Sequence, residues 1–117
     1  MRLIIASGIA LIAATSLAFA DDDIMASRYG NTVVAKGPGA PEVHLYYNAD
    51  HTFTGKVVGM TIQLKGTWEL KADQVCSTYD PPPPGVTNPL CSHLDPHKVG
   101  DSWTAGERNV TLVQGIQ

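Results

Sequence analysis

The chain has 117 residues, with eight Lys and Arg against eleven Asp and Glu and a net charge of -3. That length suits one domain and argues against two. The acidic balance, with its few cations scattered, argues against a nucleic-acid partner, whose phosphates call for a basic stripe.

Residues 1–20 read as a secretory signal peptide. Arg2 is followed by an apolar run from Leu3 to Leu17, and Ala18-Phe19-Ala20 forms an A-x-A cleavage pattern. The run is roughly 15 to 18 residues, short of the ~20 that span a bilayer, and Asp21-Asp22-Asp23 follows it at once. Cleavage after Ala20 leaves 97 residues. Without Arg2, seven Lys and Arg then face eleven Asp and Glu, a net charge of -4. The expectation is a periplasmic or secreted domain, residues 21–117, with no membrane insertion after cleavage.

The segment from Asn31 to Ala35 reads as a short opening strand, and Lys36 to Pro41 as a loop. In Glu42 to Tyr47, Val43, Leu45 and Tyr47 share one side while His44 and Tyr46 take the other, the two-residue period of a strand. Asn48-Ala49-Asp50-His51 is turn chemistry, so residues 42–58 form a hairpin. Met60, Ile62 and Leu64 alternate with Thr61, Gln63 and Lys65, and this strand runs through Gly66 to Leu70. Gly66 marks a bulge or a close approach of backbone. Further strands are expected at 74–79, 90–94, 99–104 and 109–116, with Val110, Leu112 and Ile116 on one face. Six to eight short strands without a long helix predict an all-β fold, a small antiparallel up-and-down barrel or sandwich.

Cys76 and Cys91 are the only cysteines, and in an exported chain they are expected to form one disulfide. It would close a loop holding Pro81-Pro82-Pro83-Pro84-Gly85 and Pro89. Proline fixes its own φ and lacks a donor, so this loop is read as stiff and extended.

The landmarks Tyr47-Asn48-Ala49-Asp50-His51-Thr52-Phe53-Thr54-Gly55, Gly66-Thr67-Trp68, Gln74-Val75-Cys76 and Cys91 resemble small exported β-barrel proteins of proteobacteria, lipocalin-like in the broad sense. Such proteins mostly lack an assigned activity, so the resemblance implies a fold more than a function. In lipocalins the G-x-W motif occupies the first barrel strand, whereas Trp68 stands in the middle of this chain.

Several side chains are candidates for chemistry, each with a plainer alternative. His93 and His97 flank Asp95 and offer metal ligands, although Pro96 breaks any helix that would align them; the alternative is exposed loop histidines. His44, Tyr46 and Asp50 could supply a general base and a polarising hydroxyl, or His44 could be an ordinary satisfied polar group. Trp68, Trp103 and Tyr46 are candidates for lining a ligand cavity together with Phe53, Met60, Ile62 and Leu64; in so small a barrel the expectation is a mostly filled core. Pro81, Pro82, Pro83 and Pro84 form a prearranged segment for a protein partner, or only a rigid connector. No cofactor is expected.

Three functions are open at this point. The first, preferred, is an envelope binding module without catalytic activity that recognises a small apolar ligand or an envelope protein. The second is a small isomerase, cyclase or hydrolase using His44, Tyr46 and Asp50. The third is an inhibitor presenting the proline loop to an extracytoplasmic enzyme.

Overall fold

The computed structural model describes residues 24–117. The expected signal peptide, residues 1–20, lies outside them. A 3-10 turn at Ala26–Arg28 precedes eight strands: β1 (Thr32–Gly37), β2 (Ala40–Tyr47), β3 (Thr52–Val57), β4 (Gln63–Lys71), β5 (Gln74–Tyr79), β6 (Leu90–His93), β7 (Ser102–Ala105) and β8 (Arg108–Val113). They form one antiparallel sheet in the order β6-β5-β4-β3-β2-β1-β8-β7. The first six strands are a meander, and the β7–β8 hairpin adds to it through β8 on β1. The sheet curls until β6 and β7 line the same interior without a ladder between them. The fold is therefore a nearly closed barrel rather than a sandwich.

The alternation read from the sequence matches the inward face. Val43, Leu45 and Tyr47 point into the barrel with Val33, Ala35, Val57, Leu64, Val75 and Val110. Some strand ends fall elsewhere than expected. Ladder pairing in β4 begins only at Gln63, opposite Lys56, because Gly59 adopts φ +84° and the Met60 amide donates to the Val57 carbonyl at 3.1 Å. Met60 and Ile62 thus belong to a turn. The segment 36–41 is less of a loop than expected: only Pro38 and Gly39 separate β1 from β2, with a register irregularity between Ala35 and Gly37. Pro41 is tolerated near the start of β2, before its pairing with β3 begins at Val43. Ile116, expected on the inner face, lies past β8 and is 64% exposed.

The two ends of the barrel differ. The end holding the 3-10 turn and the 48–51 turn is packed. Met25, Phe53, Trp68 and Leu112 are almost fully buried there. Register aligns Tyr47, Phe53, Gly66 and Tyr79 in one row across β2 to β5. Gly66 is the gap in that row through which the Phe53 and Tyr79 rings meet edge to face at 5.0 Å. A Cβ at Gly66 would strike the Thr78 carbonyl oxygen and stand 2.9 Å from the Phe53 ring. The close approach expected at Gly66 is thus observed. Trp68 seals the end: it stacks on His51 at 4.0 Å, meets Tyr47 edge-on, and donates its indole N–H to the Asn48 carbonyl at 3.1 Å.

Cys76 and Cys91 stand directly opposite in the β5–β6 ladder and are disulfide-bonded. The bridge ties the four-residue edge strand β6 to its single neighbour. A structural disulfide of this kind belongs to an oxidising environment. Among the described residues, no helix is long and apolar enough to cross a membrane.

Candidate ligand-binding site

Beyond the aromatic row the barrel is not filled. A cavity of about 1200 Å³ occupies the half of the interior nearer the β1–β2, β3–β4 and β7–β8 turns. Small-molecule sites commonly measure about 300–1000 Å³, so the space admits a ligand of that class. The expectation of a mostly filled core is corrected. Physically, the inward side chains of β1, β2, β3 and β8 in this half are Val33, Ala35, Val43, Leu45, Val57 and Val110, aliphatic groups too short to meet across the barrel. The aromatic rings that could have filled it are drawn to the packed end.

The mouth is rimmed by Pro41, Met60, Ile62, Pro83, Pro84, Val86 and Leu90, with Glu107 from the β7–β8 turn and Arg108 from the start of β8. Met60, Ile62 and Leu90 are exposed at 57%, 39% and 46%. An apolar rim around an apolar cavity is unusual for a surface that faces only water.

Polar groups line the cavity near β6, at Ser92, His93 and Asp95, and at the floor. Arg28, from the 3-10 turn, is only 5% exposed and lines the cavity. One guanidinium nitrogen donates to the Ile24 carbonyl at 3.1 Å, and the guanidinium carbon lies 5.6 Å from the Trp103 ring centroid, a cation–π contact. Among the described residues no carboxylate stands within ion-pair distance of it. Burial lowers its pKa, opposed by Tyr47 and Tyr29. Burial raises the Tyr47 pKa, opposed by the Ser77 side chain and Arg28. Burial also pushes Tyr79 up to about 12. The Trp103 ring stacks on His97 at 3.6 Å, which fixes the surface against which Arg28 rests.

The candidates named from sequence are thus dispersed. Of the proposed ligand-lining trio, Trp103 lines the cavity, Trp68 is packed into the closed end, and Tyr46 is on the outer face. His44 is outside as well. Its Nε2 is 2.6 Å from a Glu42 carboxylate oxygen and its Nδ1 is 3.3 Å from the Gln117 carbonyl, so both ring nitrogens are engaged. The Tyr46 hydroxyl donates to that same Gln117 oxygen at 3.2 Å. Glu42 is held below the usual carboxylate range, first by its hydrogen bond with His44 and then by Lys36. Asp50 accepts from the Thr52 amide and hydroxyl in the turn, contacts that lower its pKa. His44, Tyr46 and Asp50 therefore do not converge on the cavity.

The histidines near β6 also part. His93 sits between Asp95 at 3.1 Å and Asp73 at 3.4 Å, while His97 pairs with Asp101 at 3.6 Å. Among the described residues no cluster of three or more His, Cys, Asp or Glu is arranged to hold a metal ion. The proline loop divides in two. Pro81 and Pro82 are exposed, whereas Pro83 and Pro84 lean over the mouth and Val86 packs on the core. The Asn88 side chain anchors the loop by donating to the Tyr79 carbonyl at 2.7 Å and accepting from its amide at 2.9 Å.

Arg28 is the one functional candidate that the pattern reading missed. Its signal was the company it keeps: Ile24, Met25 and Tyr29 make this short stretch too apolar for a solvated lead-in. Compared with protein-family models, curated proteins and solved structures, the chain matches none.

Proposed function

We propose that the protein is a binding module of the cell envelope, without catalytic activity of its own, that takes a small apolar ligand into the barrel. The observation that carries this reading is the cavity of about 1200 Å³ with its aliphatic walls. Removing apolar ligand surface from water stabilises a complex by roughly 25 cal/mol per Å², and walls already held by strand pairing need little rearrangement to receive it. The disulfide supports a periplasmic or secreted location. The resemblance in residues 47–55 and 66–68 to lipocalin-like exported barrels of proteobacteria bears on the fold and not on the role. The outward placement of His44 and Tyr46 favours binding over a catalytic role for these two residues.

The test is a titration of the mature domain with an apolar fluorescent dye. The expected result is saturable enhancement at one dye per chain. Linear, unsaturable enhancement would contradict the proposal.

A further inference from the structure

We propose that the ligand is an anionic amphiphile, an aliphatic carboxylate, and that it enters head first, with its carboxylate on Arg28 and its tail toward the mouth. This rests on the cavity-binding reading above and names the class of ligand.

Three observations carry it. Arg28 is 5% exposed and lines the cavity among aliphatic groups and the Tyr47, Tyr79 and Trp103 rings, with no carboxylate partner among the described residues. A buried cation without an anion is costly, and its five donors are only partly used by the Ile24 carbonyl. A carboxylate on the floor supplies the missing charge and accepts from guanidinium nitrogens in the fork geometry that favours such pairs. The second observation is location: Arg28 comes from the packed end, and the Tyr47 and Tyr79 hydroxyl-bearing rings line the same cavity. Both tyrosines stay protonated near neutrality and can donate to an anion. The third is the rim, where exposed Met60 and Ile62 suit a tail that reaches or passes the opening. The one acid on the cavity wall near β6, Asp95, is at the exposed edge and already engaged by His93. Among the described residues, no carboxylate stands at the floor.

The experiment compares dodecanoate, dodecanol and dodecyltrimethylammonium, each kept below its micelle concentration, as displacers of the bound dye. Wild-type protein should bind dodecanoate about tenfold or more tighter than dodecanol, with the cation weakest. Arg28→Met should abolish the preference for the acid over the alcohol. Should that variant fail to fold, wild-type protein gives an independent readout: dodecanoate brominated beside the carboxylate should quench tryptophan emission more than dodecanoate brominated at the far end. Equal affinity for acid and alcohol, or stronger quenching from the far end, overturns the head-first carboxylate while the cavity reading stands. Failure of all three amphiphiles to displace the dye overturns both.

Discussion

The two ends of this barrel are built from the same strands but answer to different demands. At the end capped by the 3-10 turn, aromatic rings from β2, β3, β4 and β5 interlock around Gly66, and Met25 and Leu112 are fully buried. At the other end the same strands carry valine, alanine and leucine, which leave space between them. Stability is concentrated in the first and room for a ligand in the second. The aromatic half holds the most deeply buried side chains, and one disulfide ties the edge strand β6 to β5.

Truncation at each end gives the largest contrast. Phe53→Ala removes a ring that is 1% exposed at the centre of the aromatic row, and should cost about 3–5 kcal/mol. Leu45→Ala removes methyls that already border open space, and should cost under about 2 kcal/mol. Denaturant unfolding monitored by circular dichroism measures both; equal losses would mean that the upper half is as densely packed as the lower.

The disulfide comes next. It spans a sequence separation of 15, and its reduction should cost about 3 kcal/mol on the chain-entropy estimate. A melting temperature unchanged by reductant would show that β6 needs no covalent tie. The smallest expected effect is alkaline. Tyr79 is pushed up to about 12 in the folded protein, against about 10 in an unfolded chain. Above pH 10 the unfolded state loses this proton first, so stability is intact below pH 10 and falls as pH rises toward 12. The loss from Tyr79 is on the order of 2–3 kcal/mol, and Tyr79→Phe should reduce the slope, the remainder coming from Tyr47, whose pKa burial also raises. A slope unchanged in Tyr79→Phe would place the alkaline sensitivity elsewhere.

The sequence made one of these ends more legible than the other. Period-two alternation in 42–47 assigned Val43, Leu45 and Tyr47 to the inner face, and Gly66 announced a close approach that the Phe53 ring and the Thr78 carbonyl make concrete. The disulfide followed from two cysteines in a chain read as exported. The cavity was not legible, because alternation says which way a side chain points and not whether another meets it. Trp68 and Trp103 are alike in sequence, yet one seals the floor of the packed end and the other faces the cavity. Tyr46 is one residue from Tyr47, and that single step takes it to the outer face, where it meets the C-terminal Gln117. Arg28 was overlooked because a cation just before a strand ordinarily faces water. Its burial comes from tertiary packing, with Trp103 against its guanidinium.

If the proposed ligand enters the open half of the barrel, filling that space from the wall should remove binding. Ala35 lines the cavity from β1 with its Cβ directed inward, so Ala35→Trp places an indole where the ligand would lie. In the dye titration, the variant should remain folded and lose at least about nine-tenths of the wild-type affinity, a loss of 1.4 kcal/mol or more. A folded Ala35→Trp protein that binds the dye as tightly as wild type would place the site outside the barrel and contradict the account.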